Sequence, residues 1–155
     1  MEIRRADITD LKGINKLLSQ VLEVHHNARP DIFKTGAKKY TDSELEKIIL
    51  DETKPIFVAT EGDEVIGYAF CVIIRHTNHN IFTDIKTLYI DDLCVDENMR
   101  GRNIGKALYE YVLDFARQID CYNVTLNVWS DNKGALAFYE KMELKSQKVT
   151  MEKIL

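Results

Sequence analysis

Apolar residues recur along this chain in two rhythms, and the switches between them mark out the expected elements. Leu11, Ile14, Leu17, Leu18, Val21 and Leu22 fall three or four apart, the spacing of one buried helix face. Thr9 or Asp10 stands where a cap would open that helix, and Glu2 to Asp7 before it reads as a short first strand. Ala28-Arg29-Pro30 must break or kink the helix, because a residue before proline is pushed out of helical geometry. Residues from His25 to Tyr40 then read as an irregular or short-helical excursion. Thr41-Asp42-Ser43-Glu44 fits a capping box ahead of Leu45, Ile48 and Ile49.

The rhythm then shortens to strand spacing. Ile56 to Thr60 and Val65 to Ile74 are strand-like, with Glu61-Gly62-Asp63 as a tight hairpin between them. His76 to Asn80 is polar loop, and Thr87 to Val95 is another strand. Helical spacing returns from Ile104 to Ile119, with Ile104, Leu108, Val112, Phe115 and Ile119 as the expected buried stripe. Val124, Leu126 and Val128 alternate with Thr125, Asn127 and Trp129, as in a half-buried strand. Ser130-Asp131-Asn132 opens a last helix through Met142, and Lys145 to Leu155 is expected to close as a strand. The unit from Thr87 to Val128 is a strand–helix–strand crossover, so its strands should run parallel, whereas the hairpins before it should be antiparallel. The expected class is α/β in the mixed α+β sense: a mostly antiparallel sheet with a central parallel strand pair and helices on both faces.

Composition narrows this picture only a little. A chain of 155 residues with two prolines and no low-complexity stretch reads as one domain over residues 1–155. A net charge of −4 argues against nucleic acid as a partner. The longest apolar run, Val65 to Ile74, is too short to span a bilayer, and Met1-Glu2-Ile3-Arg4-Arg5 does not resemble a signal peptide. A cytoplasmic location without a membrane partner follows as the expectation, and a second copy of the chain is left open as a partner. Cys71, Cys94 and Cys121 form no C-x-x-C pair, so neither a disulfide framework nor a metal site is expected.

Candidate chemistry concentrates in Arg100-Gly101-Arg102-Asn103-Ile104-Gly105-Lys106-Ala107-Leu108, between a strand and an amphipathic helix. A basic, Gly-containing loop opening a helix leaves backbone N–H groups free at the positive end of the helix dipole, which is an anion site suited to pyrophosphate. It is not a Walker A loop, since Ala107 follows Lys106, and Gly101 and Gly105 lack the dinucleotide spacing.

Three segments in order resemble the GNAT superfamily of acyl-CoA-dependent N-acyltransferases. Asp92-Leu93-Cys94-Val95 with Asp96 to Gly105 is similar to that family's strand and pyrophosphate loop, Q/R-x-x-G-x-G/A. Thr125-Leu126-Asn127-Val128 is similar to its next strand, and Asn132 to Lys141 to its N-x-x-A-x-x-F-Y-x-K helix. Two positions depart from the pattern. Asn103 replaces the first Gly if Arg100 leads the loop, the register preferred over one led by Arg102, and Asn tolerates a left-handed backbone. Glu143 stands where the family usually has Gly, and Leu144 where it has an aromatic.

The resemblance implies a GNAT-like fold and an acetyl-CoA-dependent N-acetyltransferase working by direct attack of a primary amine in a ternary complex. Acetyl-CoA as co-substrate would lie on Arg100, Gly101, Arg102, Asn103, Ile104, Gly105 and Lys106. Its arm would pair with the main chain of Leu93, Cys94 and Val95, and Asn132 would contact the arm, cap its helix, or both. Tyr139 matches the helix tyrosine expected to act as general acid on the leaving sulfur. Asp91 and Asp92 are candidate bases or anchors for the amine; adjacent strand residues point to opposite faces, so only one is expected to face the acceptor unless a bulge intervenes. His25, His26, Arg29, Phe33 and Tyr40 would wall the acceptor side. The acceptor is expected to be a small cationic amine, a protein N-terminus or a lysine. The rival reading is a non-catalytic acyl-CoA-binding sensor or regulatory module, which would have less reason to keep Tyr139.

Overall fold

The computed structural model describes residues 1–155. Its elements run β1 (Glu2–Arg5), α1 (Leu11–Ala28), α2 (Asp42–Ile49), β2 (Ile56–Glu61), β3 (Glu64–Arg75), β4 (Lys86–Val95), α3 (Ile104–Gln118), β5 (Asn123–Leu126) and α4 (Lys133–Lys141). Short 3-10 turns at Ile8–Asp10 and Glu97–Met99 precede α1 and α3.

Local chemistry explains most boundaries. β1 stops before Asp7 because the Asp7 carboxylate accepts from the Thr9 N–H at 2.8 Å, while Asp10 accepts from the Asp7 N–H at 2.9 Å. The side-chain cap is therefore Asp7, two or three residues ahead of the expected Thr9 or Asp10, and Asp10 makes no capping bond to α1. Buried Asp10 is instead gripped by both terminal nitrogens of Arg4, at 2.7 and 2.9 Å. The box at Thr41 forms as expected: Glu44 N–H donates to Thr41 Oγ1 at 3.2 Å, and Thr41 N–H to Glu44 Oε2 at 2.7 Å.

One five-stranded sheet carries the fold in the order β1-β2-β3-β4-β5. Successive pairs from β1 to β4 are antiparallel, and β4 pairs with β5 in parallel, from Thr87 opposite Asn123 to Ile90 opposite Leu126. α1 and α2 cover one face, burying Ile14, Leu17 and Leu45 against Val58, Tyr68 and Phe70. α3 covers the other face, burying Val112 and Ala116 against Ala69, Cys71, Leu88 and Ile90, with Phe138 and Met142 of α4 packed alongside. Gly67 lets α3 approach closely, because an added Cβ would lie 2.9 Å from Leu108 Cδ1 and 3.0 Å from the Cys94 carbonyl oxygen.

Three expectations are corrected. The stripe of α3 buries Tyr109 and Ala116 as well as Ile104, Leu108 and Val112, while Phe115 and Ile119 are only half-buried. β5 ends at Leu126, not near Val128, because its pairing with β4 ends there. Lys145 to Leu155 forms no strand. The tail leaves the outer edge of β5 unpaired: Glu152 is drawn to Arg29 beyond the end of α1 at 3.1 Å, and Val149, Met151 and Ile154 stay exposed. As a result β5 is the edge strand, and the parallel pair lies at that side of the sheet rather than at its centre. No helix is long and apolar enough to cross a membrane.

Candidate active site

Where β5 ends, β4 continues. Past Ile90 the strand runs on through Asp91, Asp92, Leu93, Cys94 and Val95 with β3 on one side and no strand on the other. Its outer backbone groups are thus open to pairing with an extended ligand. Leu93 and Val95 pack partly against the α3 face, while Cys94 is buried against the α1 face. Burial pushes the Cys94 thiol up to about 12, so it is no nucleophile at neutral pH.

The loop after β4 turns away from the sheet through Gly101, at φ 79, and Asn103, at φ 59. Asn103 thus takes the left-handed conformation that its place in the loop required, and α3 begins at the next residue. The backbone N–H of Met99 is bonded to Asp96 and that of Ala107 to Asn103, but every N–H from Arg100 to Lys106 lacks an acceptor in the chain. These groups lie at the positive end of a helix of 15 residues, an arrangement of free donors that favours an anion. Beside them lies a cavity of about 240 Å³, lined by Val95, Met99, Arg100, Asn103, Gly105, Lys106 and Phe138 among others. The cations divide. Arg102 is turned to Glu61 and the Met99 sulfur, and Lys106 pairs with Glu110 at 3.6 Å. Arg100, exposed at the cavity rim, has no ion-pair partner.

α4 brings Tyr139 toward the same region. Asn132 caps this helix, its Oδ1 accepting from the Ala135 N–H at 3.1 Å. At the other end Glu143 adopts φ 66, the left-handed turn for which Gly is better suited. Tyr139 stands edge-on to Phe138 and Tyr109, with ring centroids 5.1 and 6.4 Å away. Burial, then the charge of Asp92, pushes its phenol up to about 12, so it is protonated at neutral pH.

The two aspartates do not point apart as a regular strand would have them. Phe70 lies opposite Asp92 and Cys71 opposite Ile90, which leaves Asp91 as the extra residue of a β-bulge. The bulge lets one ammonium reach both carboxylates: Lys39 Nζ is 3.1 Å from Asp91 Oδ2 and 4.0 Å from Asp92 Oδ2. The Asp91 side chain is 37% exposed, whereas that of Asp92 is only 13% exposed and accepts a 2.8 Å bond from the Tyr68 hydroxyl. Burial raises the Asp92 carboxyl above its ordinary range, opposed by Lys39 and Tyr68.

The irregular segment starts later than expected, because α1 runs on to Ala28 and carries His25 and His26; the segment after it brings Lys39 to the two aspartates. His25 stacks on Phe33 at 5.0 Å, and Phe33 meets Trp129 edge-on at 5.6 Å. Phe33 is held through its carbonyl, to which His26 Nδ1 donates at 2.7 Å. Arg29 turns away to Asp31 and Glu152. Lys39, Tyr68, Phe70 and Trp129 were not singled out in the sequence. Only Tyr68 carried a signal, since a hydroxyl in a buried strand needs a partner.

A family model described as "Acetyltransferase (GNAT) family" matches residues 18–143. The chain is 30% identical over 156 residues to a glucosamine 6-phosphate N-acetyltransferase from Arabidopsis thaliana, spanning 98% of this chain and 95% of that protein. It is 31% identical over 106 residues to the peptidyl-lysine N-acetyltransferase YjaB of Salmonella typhimurium, covering 66% of this chain and 60% of that one. Among solved structures, a mutant of the BH1408 protein from Bacillus halodurans superposes with a TM-score of 0.94 at 29% identity, over 100% of this chain and 99% of that one. The Arabidopsis glucosamine-6-phosphate N-acetyltransferase structure gives 0.72 at 26%, over 99% and 97%.

Proposed function

The chain belongs to the acetyltransferase (GNAT) family, and from that premise we propose that it transfers the acetyl group of acetyl-CoA to a primary amine by direct attack within a ternary complex. The observation that carries this reading is the open stretch of β4, which joins the unpaired N–H groups of Arg100 to Lys106 at one end to Asp91 and Asp92 at the other. A cofactor with a pyrophosphate and a long amide-containing arm matches that path. Those N–H groups and Arg100 take the pyrophosphate, and the main chain of Leu93, Cys94 and Val95 pairs with the arm. Acetyl-CoA supplies an acyl group activated as a thioester.

The chain's own residues do the rest. Asp91 and Asp92 attract an ammonium, and the aromatic rings of Tyr40 and Phe70 favour a cation beside them. Asp92, whose burial strengthens its hold on a proton, accepts the one the amine must lose before attack. Tyr139 keeps its proton at neutral pH and donates it to the sulfur as the thiolate leaves. No covalent acyl-enzyme is needed, and Cys94 stays inert.

A small cationic amine, a protein N-terminus or a lysine fits this acidic, aromatic-walled spot. The names of the relatives suggest two kinds of acceptor, an amino sugar phosphate and a peptide lysine. The paired carboxylates favour the acceptor that carries positive charge alone. The test is release of CoA from acetyl-CoA over a panel of polyamines, lysine peptides, aminoglycosides and glucosamine 6-phosphate, with Tyr139→Phe as control. Turnover is expected on cationic amines and a loss of about ten- to ten-thousand-fold in the variant. Tight acetyl-CoA binding with no turnover on any amine would instead support the sensor reading.

A further inference from the structure

Lys39 places a primary amine of the chain itself where the acceptor is expected. It lies in the irregular segment between α1 and α2, one residue before Tyr40. Its Nζ sits 3.1 Å from Asp91 and 4.0 Å from Asp92, and 5.3 and 5.9 Å from the ring centroids of Tyr40 and Phe70. These are the contacts proposed for the substrate ammonium. The charged and titratable groups about it are Asp91, Asp92, Tyr40, Tyr68 behind Asp92, and His25, whose charge acts on Asp92.

The pair is also easily broken. Both Lys39 and Asp91 are about one-third exposed, and such ion pairs contribute about 0–1 kcal/mol. An incoming ammonium, which would make the same contacts, can therefore displace Lys39.

We infer that Lys39 is a tethered surrogate of the acceptor, which competes with amine substrates for the acidic pair and is itself acetylated when none is present. This inference rests on the acetyltransferase reading of the same site. The chemistry is that of the proposed reaction. Lys39 Nζ loses a proton to Asp92 and forms a bond to the thioester carbonyl carbon. The carbon–sulfur bond breaks with its electron pair on sulfur, and Tyr139 protonates that sulfur. As the new C–N bond becomes an amide the nitrogen loses its second proton, which passes through solvent to restore the Tyr139 phenol. The products are Nε-acetylated Lys39, free CoA and the one proton taken by Asp92, with no oxidation or reduction. The acetylated side chain is neutral and leaves the carboxylates free for substrate.

The experiment incubates the purified full chain with acetyl-CoA alone and follows intact mass, with peptide mapping of the modified residue. A single acetyl group is expected on Lys39, at a first-order rate independent of protein concentration. It should slow at least tenfold in Tyr139→Phe, be absent in Lys39→Arg, and be suppressed by a saturating amine substrate. Acetyl groups spread over exposed lysines at rates indifferent to Tyr139 would mark uncatalysed chemistry and overturn the inference. A rate proportional to protein concentration would overturn the tethered geometry. Turnover of free amines with Lys39 unmodified defeats this inference and leaves the acetyltransferase reading intact. Absence of both reactions, with acetyl-CoA bound, defeats the reading on which it rests.

Discussion

Replacing Tyr68 by Phe isolates the buried end of the acidic pair. The Tyr68 ring is fully buried against Phe70 and the α1 face, and Phe keeps that packing while deleting the hydroxyl that donates to Asp92 at 2.8 Å. A hydrogen bond to a charged group contributes about 1.5–3 kcal/mol. Its loss moves the Asp92 carboxyl further upward, because the hydroxyl favours the ionised form. Lys39, at 4.0 Å, does not replace the lost donor. Because Asp92 is already raised by burial, its ionised form weighs against the fold above the folded-state pKa, and that cost disappears as pH falls through it. Tyr68→Phe should therefore lose about 1.5–3 kcal/mol of unfolding free energy at neutral pH and progressively less in acid. If Asp92 is the base, the acid limb of kcat/KM should move to higher pH with the alkaline side unchanged. Urea unfolding across pH and a pH–rate profile on the best amine measure both. An unmoved acid limb in a variant that shows the stability loss would refute the assignment of Asp92 as proton acceptor.

Separating the two aspartates, Asp91→Asn should cost no more than about fivefold in kcat/KM, as befits an exposed ion pair, whereas Asp92→Asn should lower kcat about 10²–10⁴-fold. Asp92→Asn should also unfold no earlier than the parent protein at neutral pH, because it removes a buried charge while an amide oxygen remains for Tyr68; equal activity of both variants with the parent would remove the carboxylates from the mechanism. In Gly105→Glu the new Cβ meets Val95 Cγ2 at 3.6 Å and Phe138 Cζ at 3.7 Å, ordinary contacts, so the variant should fold. Its carboxylate would occupy the proposed pyrophosphate site, and calorimetry should show acetyl-CoA affinity reduced at least about tenfold, or about 1.4 kcal/mol; undiminished affinity would place the pyrophosphate elsewhere.

Features set by near neighbours in sequence were legible. The capping box at Thr41 and Glu44, the hairpin at Glu61 to Asp63 and the left-handed Asn103 each follow from two to four adjacent residues. Features set by register across the sheet were not. Tyr68 and Asp92 are 24 residues apart, and their meeting depends on which residue of β4 bulges. Since one residue of slip reverses the facing of every side chain beyond it, no local pattern could say that Asp91 and Asp92 share an ammonium. Lys39 has no periodic neighbours to place it, and the tail, expected as a strand from its apolar residues, leaves the open edge of β5 unpaired.

The bulge also explains how this sheet can hold two carboxylates at one spot. In an unbroken ladder Asp91 and Asp92 would face opposite ways, and Asp92 would turn toward the α3 face beside Ile90 and Leu88, where an unpaired charge is prohibitive. With Asp91 as an extra residue, Asp92 falls instead on the α1 face opposite Phe70 and within reach of Tyr68, and both carboxylates meet Lys39 at the point where β5 ends and the outer edge of β4 opens. Edge opening and bulge reinforce each other: a strand with a free side can bend without losing ladder bonds there, and the bend re-aims the side chains. The remaining cost falls on Asp92, which is buried more deeply than a carboxylate prefers and is partly compensated by Tyr68 and Lys39. Stability alone would favour a neutral side chain at that position. On the proposed mechanism the site takes a proton from an amine and so needs a carboxylate whose proton affinity burial has increased, and the fold bears that cost beside Lys39.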